Sequence, residues 1–429
     1  MFGLWSLVVL GACQPASVAE GDPWTPPTAP LNVLFLSVDT LRRDALGRYG
    51  GGDDMPVLDA WLDGGLTLDA HASCSSWTVP SMACALTGMD TLDLGFTPIG
   101  GDASLAIDAE TMAEVFREQH YAATLVTANT YLDDPVGLGK GYRGVVSVGN
   151  WRAERVVDRG LEALQELSSG SRPWLLHMHF IDPHTPYQEA LTDAALLEEL
   201  PPVDVDFSDS AQTRALESRW VNLSVSEREV YLSWLRELYR AQNRYLDAEL
   251  GRLLDALESE GLIDDTVVVF LTDHGEQFDE HQKIFHGKSL YAEELAGVAS
   301  FRGPGIEPGS IATLTTHADV LPTLLAMTGW PAPEGVTGAS VADLDEDRAT
   351  FGARVYAEGA IQSVRQGGWE MIFQWDGTLE LFDAADVGQE RDVLAEEPAA
   401  ARALWGVLEP QVQRLDGLLP DQGPEEPAL

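Results

Sequence analysis

The sequence predicts an α/β protein with a doubly wound, mostly parallel sheet flanked by helices, and two observations lead to this prediction. First, four short runs of apolar, β-forming residues recur along the chain, at 32–38, 122–127, 174–181 and 266–271. Such runs are typical of strands that are buried on both faces of a parallel sheet. Second, helical patterns precede three of these runs, at 109–119, 152–167 and 227–260. Alternating helices and buried strands define the doubly wound class.

The size and charge of the chain limit the functions that it can have. Its 429 residues are enough to bury a substantial core. Acidic residues outnumber basic ones 69 to 26, which gives a formal net charge of −43. A surface this acidic opposes broad binding to nucleic acid or to anionic lipid. We therefore expect no nucleic-acid partner, and any anionic substrate has to be held by a local cluster of cations.

The amino-terminal residues predict export from the cell. Residues 1–12 are mostly apolar, and the segment that ends at Cys13 is similar to the lipobox of bacterial lipoproteins. We interpret 1–12 as a signal peptide, Cys13 as a lipid anchor and 13–30 as a tether. A plain signal peptide and a mispredicted start are the alternatives. The predicted location is the bacterial cell envelope, the periplasm or the extracellular space, with membrane contact only through the anchor.

The pattern changes beyond the predicted main domain, 31–345. Strand-like runs at 354–358, 370–375 and 378–382, with a hairpin turn at Asp376 and Gly377, precede a helix at about 398–415. We expect a C-terminal subdomain, 346–417, with a small antiparallel sheet and one helix, and then a disordered acidic tail, 418–429. An acidic, Pro-containing segment at 189–213 is predicted to be a surface insertion that shapes the mouth of a site.

Polar side chains follow three of the predicted strands at the point where each strand ends. These side chains are Asp39, Asp182 with His184, and Asp273 with His274. In doubly wound sheets, ligands bind beyond the carboxyl ends of the strands. The sequence therefore predicts a site at this edge of the sheet, built from several separate strands.

Thr78 lies where a helix is predicted to begin. Pro80 favours the first turn of a helix, so Thr78 or Val79 is predicted to cap a helix that runs to about Leu86. The free N–H groups of a helix start stabilise an alkoxide and a bound anionic group. An ordinary threonine N-cap is the alternative.

Four residues together offer the donors of a hard-cation site. Asp39, Thr78, Asp273 and His274 supply carboxylate, hydroxyl and imidazole ligands, and a metal ion held by them would deprotonate the threonine. The hypothesis requires the Thr78 oxygen to lie within about 5 Å of both carboxylates, as shared ligation demands.

The chain resembles the sulfatase family of the alkaline phosphatase superfamily. The matching segments, in the order of the family, are 32–42, 76–88, 179–187, 271–276, 285–294, 319–325 and 381–383. The first holds Asp39, the second Thr78, the third the Asp182-Pro183-His184 motif, and the fifth Lys288. The resemblance implies an alkaline phosphatase-like fold and a metal-dependent ester hydrolase in the main domain.

The departures from the family pattern bear on the chemistry. Family sulfatases convert a Cys or Ser to formylglycine, whereas Thr78 occupies this position and Met82 replaces the following Arg. Threonine cannot form that aldehyde, so no formylglycine is expected. Threonine is the nucleophile in related phosphoethanolamine transferases and phosphodiesterases. Thr40 replaces a second metal-binding Asp of many sulfatases, so we expect one divalent ion, with calcium, manganese, zinc and magnesium all open.

The resemblance also implies roles for the cations near the site. Lys288 is predicted to hold a non-bridging oxygen of the ester, and His184 or His286 to protonate the leaving group. In an alternative, His184 and His286 join Asp182 in holding a second metal. Three other histidines, His177, His179 and His281, are expected to serve packing or surface roles, and Arg42 is expected to pair with Asp44.

The leading hypothesis is an ester hydrolase that uses Thr78 on an anionic ester, with phosphate or phosphonate esters favoured over sulfates. A phosphotransferase acting on a cell-envelope alcohol and an inactive binding lipoprotein are the alternatives. Cys74 and Cys84 flank Thr78, and they are expected to be a disulfide or two buried small side chains, the second being favoured. The sequence indicates no oligomeric state.

Overall fold

The computed structural model describes residues 23–94, 97–99, 102–104, 109–133, 137–149, 152–188, 191–356, 359–417, 424 and 427. The predicted signal peptide, Cys13 and the first part of the predicted tether lie outside these residues, as does almost all of the predicted tail. Export, lipidation and disorder of the tail therefore stay predictions.

Eighteen strands are present in the described part of the chain. They are β1 (Asn32–Val38), β2 (Leu66–Leu68), β3 (His71–Ala72), β4 (Thr97–Ile99), β5 (Asp102–Ser104), β6 (Ala122–Thr127), β7 (Gly144–Ser147), β8 (Trp174–Phe180), β9 (Thr266–Thr272), β10 (Gln277–Phe278), β11 (Ile284–Phe285), β12 (Ala299–Arg302), β13 (Gly309–Ile311), β14 (Thr315–Thr316), β15 (Thr350–Tyr356), β16 (Gly359–Gln366), β17 (Trp369–Gln374) and β18 (Leu379–Asp383).

The α-helices of the described residues are α1 (Pro56–Asp63), α2 (Thr78–Thr87), α3 (Met112–Glu118), α4 (Thr130–Asp133), α5 (Ala153–Ser168), α6 (Ala194–Glu199), α7 (Ser210–Arg219), α8 (Val225–Ser259), α9 (Ala292–Leu295), α10 (Val320–Thr328) and α11 (Pro398–Asp416). The longest, α8, has 35 residues and begins with a capping box between Ser224 and Glu227. The sequence places its start at Glu227, because the apolar pattern only becomes regular there.

The central sheet has eight described strands in the order β13-β2-β12-β9-β1-β8-β6-β7. The strands from β9 to β7 are parallel to their neighbours, whereas β12 runs antiparallel to β9 and to β2. The fold class predicted from the sequence is therefore confirmed. The parallel arrangement brings the carboxyl ends of β1, β6, β8 and β9 to the same edge.

Helices cover both faces of this sheet. Buried side chains of α2, α3 and α10, such as Met82, Phe116 and Leu324, pack on one face. Side chains of α1, α5 and α8, such as Val157 and Leu250, pack on the other face. The strands are buried on both sides, which explains why their sequences are continuous apolar runs.

The C-terminal part forms a second sheet in the order β15-β16-β17-β18, covered by α11. All neighbouring strands are antiparallel, as the sequence predicts. The turn at Asp376 and Gly377 is also confirmed, since Gly377 N–H donates to the carbonyl of Gln374. The sequence analysis missed β16, because Gln362 and Ser363 interrupt its apolar pattern although both are buried.

The predicted insertion is helical for part of its length. The helices α6 and α7 pack with α8 through a separate apolar cluster that includes Phe207, Trp220 and Leu235. This cluster holds α7 beside the carboxyl edge of the central sheet. The described part of the predicted insertion, 191–213, therefore contains α6 and the first residues of α7, which continues beyond it to Arg219.

Cys74 and Cys84 are both buried free thiols. The structure thus favours the interpretation that they are small side chains of the core rather than a disulfide. Across the described ranges, no helix combines the length and the apolar character that a membrane span requires.

Candidate active site

Asp39 and Asp273 lie side by side because they follow two neighbouring parallel strands. The register pairs Val38 of β1 with Thr272 of β9, so the next residue of each strand is an aspartate. Both side chains are completely buried. Thr40 has a positive φ of 55°, and its N–H donates to Oδ1 of Asp273 at 3.1 Å. This unusual backbone conformation beside the carboxylates marks a constrained site.

His274 presents a lone pair to these two carboxylates. Its Nδ1 lies 3.0 Å from the carbonyl of Gly275, which only accepts, so Nδ1 carries the proton. The other ring nitrogen, Nε2, lies 3.7 Å from Oδ1 of Asp39 and 3.6 Å from Oδ2 of Asp273. Burial, and then the charge of His286, lower the pKa of His274 to about 3, so the ring is neutral.

The arrangement fits a divalent cation. Oδ1 of Asp39, Oδ2 of Asp273 and Nε2 of His274 are buried without a hydrogen-bond partner among the described residues. Ligand atoms of these three residues lie within 4.8 Å of one another. Burial and the charge of Asp39 raise the pKa of Asp273. A cation between the three groups removes the repulsion, and the donor set suits calcium, manganese, zinc or magnesium.

Thr78 completes the set that the sequence predicts. Its Oγ1 donates to Oδ2 of Asp39 at 3.3 Å, which meets the required distance for this carboxylate, and a hydrogen bond from its hydroxyl lowers the pKa of Asp273. Thr78 is the first residue of α2, and the N-cap is Trp77, which makes no side-chain cap. The prediction that Thr78 or Val79 caps this helix is therefore wrong. The hydroxyl is directed at Asp39 instead of the helix backbone.

Asn129 belongs to the site but was missed by the sequence analysis. Its Nδ2 donates to Oδ2 of Asp39 at 2.9 Å and lies 3.5 Å from Oγ1 of Thr78. The residue follows β6, whose carboxyl end lies at the same edge. A polar residue two positions after a predicted buried strand is the signal that could have found it.

His184 and His286 lie next to each other near this cluster, with ring centroids 4.8 Å apart. Nδ1 of His286 is 2.9 Å from Oε1 of Glu276, and Tyr187 donates to the other oxygen of that carboxylate. Burial lowers the pKa of His286, but the hydrogen bond and charge of Glu276 outweigh it and raise the pKa above its ordinary value. Glu276 thus orients a ring that can carry a proton. The sequence analysis gave Glu276 no role.

Asp182 binds the backbone of a neighbouring helix. Its Oδ2 accepts from the N–H of Ala153 at 2.6 Å, at the start of α5. Burial raises its pKa to about 6. The described residues contain one metal-ligand cluster, Asp39 with Asp273 and His274. The geometry therefore does not support the second metal site.

A groove of about 550 Å³ opens above Thr78. Trp77 and Tyr131 form one wall, with ring centroids 6.2 Å apart. The helix α7 contributes Thr213, Arg214 and Glu217 to the lining of the groove. The end of the predicted insertion, at Ser210 and Thr213, thus contributes to the mouth of the site.

The cation that lines this groove is not the one that the sequence predicts to hold the ester. Lys288 lies outside the groove lining, and its Nζ forms a 2.6 Å ion pair with Glu217. Arg214 lines the groove and has no ion-pair partner among the described residues. Sequence reasoning missed Arg214, because nothing in the pattern of α7 distinguishes it from a solvated surface arginine.

The remaining singled-out residues lie outside the groove. Arg42 pairs with Asp44 at 2.6 Å, as expected. His281 stacks on Tyr291 with ring centroids 3.6 Å apart, which agrees with a packing role.

The fold and the site together define a class, the sulfatase-like proteins with an alkaline phosphatase-like fold and a metal-ligand cluster at the sheet edge. A family model described as Sulfatase matches residues 31–330. The chain therefore belongs to the sulfatase family.

Two relatives with sulfatase names differ in how much of the chain they match. The choline-sulfatase of Rhizobium meliloti is 31% identical over 245 residues, which are 53% of this chain and 47% of that protein. The uncharacterized sulfatase YidJ of Escherichia coli is 23% identical over 366 residues, which are 75% of this chain and 72% of that protein. The chain thus matches about half of the length of the first and nearly three quarters of the second.

Solved structures show the same fold. A putative sulfatase, yidJ, from Bacteroides fragilis has a TM-score of 0.73 at 19% identity and covers 94% of this chain and 98% of its own. A phosphonate monoester hydrolase of Agrobacterium radiobacter has a TM-score of 0.68 at 18% identity, covering 93% and 100%. BT4656, solved with its substrate D-glucosamine-2-N,6-O-disulfate, has a TM-score of 0.72 at 18% identity, covering 93% and 100%.

The two adjacent carboxylates lead to a prediction about stability. In Asp273→Asn, the amide oxygen can keep the hydrogen bonds from Thr40 and His274, and the amide NH₂ then faces Asp39. We expect this variant to melt at a higher temperature than wild type in the presence of a chelator, because one buried like charge is removed. Added Mn²⁺ or Zn²⁺ should stabilise wild type, by about 2.7 kcal/mol at 100 times the Kd, and not the variant.

Thermal unfolding with and without metal measures both effects. Asp247→Asn is the control, since this buried carboxylate binds N–H groups of α1 away from the site, and it should keep the response to metal. A metal-free Asp273→Asn that is less stable than wild type, but still stabilised by metal, would contradict the assignment.

Proposed function

We propose that this protein is a metal-dependent hydrolase that cleaves phosphate or phosphonate esters by attack of Thr78, with sulfate esters as a second substrate class. The observation that carries the proposal is the position of the Thr78 hydroxyl, which lies at a helix start and 3.3 Å from Oδ2 of Asp39. Family membership supports an ester substrate, and the threonine favours phosphorus over sulfur.

The residues around Thr78 have distinct parts in the first step. A divalent ion held by Asp39, Asp273, His274 and Thr78 would supply Lewis-acid chemistry that stabilises the ionised hydroxyl and the charge of the ester. The proton of Oγ1 passes to water in the groove, because neighbouring imidazoles lower the pKa of Asp39 despite its burial and its carboxylate does not keep a proton. Oγ1 then bonds to phosphorus as the bond from phosphorus to the leaving oxygen breaks. The N–H groups at the start of α2 face the anionic group that Thr78 receives.

His286 is the best-placed donor for the leaving oxygen. Glu276 binds its Nδ1, so the protonated ring can present Nε2–H to the leaving alkoxide, which departs as the free alcohol. In the second step, a water loses a proton to the same ring and attacks phosphorus. The bond from phosphorus to Oγ1 breaks, and Thr78 recovers its proton.

The similarity to known proteins supports this substrate class without selecting the alcohol. Structures that share the fold include phosphonate monoester hydrolases from Silicibacter pomeroyi and Agrobacterium radiobacter. The groove has an aromatic wall and a polar wall, which suits an ester whose alcohol side has both apolar and hydrogen-bonding groups.

Variants at position 78 test the nucleophile. Thr78→Ala should reduce kcat on the preferred substrate by about 10³- to 10⁶-fold, as loss of a nucleophile does, whereas Thr78→Ser keeps the hydroxyl and should retain measurable turnover. Initial rates with an aryl sulfate, a phosphodiester and a phosphonate monoester give the preference. Equal activity of wild type and Thr78→Ala on all three substrates would exclude Thr78 as the nucleophile.

Substrate capture separates the roles of Arg214 and Lys288. Arg214→Ala should raise KM about 10-fold with little change in kcat, because an unpaired cation of the groove is lost. Lys288→Ala should raise KM indirectly, by leaving Glu217 to repel the anion. Adding Glu217→Gln to Lys288→Ala should then restore KM.

The double variant with Lys288→Ala and Glu217→Gln shows whether Lys288 binds the substrate directly or only neutralises Glu217. If Lys288→Ala with Glu217→Gln stays as impaired as Lys288→Ala, then Lys288 holds the substrate directly, as the sequence predicts, and our assignment of Arg214 is wrong. Arg219→Ala is the matched control on α7, since this residue pairs with Asp204 and is absent from the groove lining.

A further inference from the structure

A buried chain of hydrogen bonds leads from Tyr142 to the back of Asp39. The hydroxyl of Tyr142 lies 3.0 Å from Nδ1 of His177, and Nε2 of His177 lies 2.8 Å from Oγ of Ser37. The same Oγ lies 2.7 Å from Nδ1 of His179. Nε2 of His179 faces Oδ2 of Asp39 at 3.8 Å. We call Tyr142, His177, Ser37 and His179 the positioning chain.

The strand geometry produces this chain. His177 and His179 are two residues apart on β8, so they project from the same face. The parallel register sets Ser37 of β1 opposite His179. Asp39 follows two residues after Ser37, at the end of its strand. Two imidazoles and one hydroxyl thus line up inside the sheet behind a predicted metal ligand, and all three are fully buried.

The hydrogen-bond roles in the chain have one consistent direction. The phenol of Tyr142 has no other acceptor among the described residues, so it donates to Nδ1 of His177. Nε2–H of His177 then donates to Ser37, and the Ser37 hydroxyl donates to Nδ1 of His179. Nε2 of His179 therefore carries a proton. Burial lowers the pKa of His177, in agreement with a neutral ring.

The contact of His179 with Asp39, at the other end of the positioning chain, favours the same hydrogen-bond direction. If every bond were reversed, Nε2 of His179 would turn a lone pair toward the carboxylate of Asp39, and the Tyr142 proton would lose its acceptor. Both changes cost free energy in a buried environment. At 3.8 Å, the contact of Nε2–H with Oδ2 is an electrostatic attraction rather than a direct hydrogen bond.

We infer that the positioning chain fixes His179 as the Nε2–H tautomer, so that it directs Oδ2 of Asp39 toward protein donors and leaves Oδ1 for the metal ion. Oδ2 then faces His179 together with Asn129 and Thr78, whereas Oδ1 has no partner. His179 is a positioning residue and not a metal ligand. The inference rests on the role of Asp39 in the proposed function.

The tautomer can be observed directly in the metal-free wild-type protein. Long-range ¹H–¹⁵N correlation spectra of protein labelled at its nine histidines should show His179 protonated at Nε2 only, with its signals assigned by their loss in His179→Gln. Protonation at Nδ1 alone would overturn the inference and make Nε2 of His179 a candidate ligand. This readout does not depend on turnover, so it stands apart from the outcome for Thr78.

Metal affinity measures what the chain contributes. Ser37→Ala should weaken binding of Mn²⁺ about 10- to 100-fold, the usual effect of losing a group that orients a ligand. Ser37→Thr keeps the hydroxyl and should restore most of the affinity. Ser300→Ala removes a buried hydroxyl from β12 that bonds to Thr67, and it should have no effect. Unchanged Mn²⁺ affinity in a folded Ser37→Ala protein, measured by calorimetry, would contradict a positioning role.

Discussion

The structure depends on the close approach of two buried carboxylates, Asp39 and Asp273. The parallel pairing of β1 and β9 fixes their separation, because each aspartate is the first residue after a paired strand position. The backbone positions of both aspartates are held by the central sheet. Burial, and then the negative charge of Asp39, raise the pKa of Asp273, and a divalent cation is the simplest group that relieves the repulsion between the two carboxylates. The chemistry of the site follows from this constraint.

The other functional groups approach the carboxylates from separate elements. The start of α2 presents Thr78, the end of β6 presents Asn129, and the loop after β11 presents His286. These groups are far apart in sequence, and the common edge of the sheet is what brings them together. The helix α7, which begins at the end of the predicted insertion, also lines the groove. The sheet thus supports the reaction centre, and α7 lines the groove that gives access to it.

The sequence predicts much of this arrangement because each feature has a local signal. Buried parallel strands are continuous apolar runs, and the polar residues that directly follow two of them, Asp39 and Asp273, can be recognised in the sequence. The interpretation of His177 and His179 shows what remains hidden. Each has a structural packing role when considered alone, and only the register between β1 and β8 places Ser37 between them. Side-chain partners across strands depend on register, which a single sequence does not state.

The roles of the surface cations were predicted less well, because they too depend on side-chain partners that the sequence does not show. Lys288 and Arg214 are both exposed cations near a loop or helix, and their functions depend on whether a carboxylate lies within reach. Glu217 pairs with Lys288 and leaves Arg214 facing the groove. The position of α7 depends on an apolar cluster in which Leu216 of α7 lies with Phe207 and with Leu235 of α8, and no local pattern in the sequence encodes it.

The most direct measurement of the central claim is anomalous X-ray scattering from crystals grown with Mn²⁺. The account predicts one strong peak at coordination distance, about 2.0–2.6 Å, from Oδ1 of Asp39, Oδ2 of Asp273, Nε2 of His274 and Oγ1 of Thr78. Absence of a peak between the two carboxylates, or a peak that leaves the Thr78 oxygen outside the coordination shell, would contradict it.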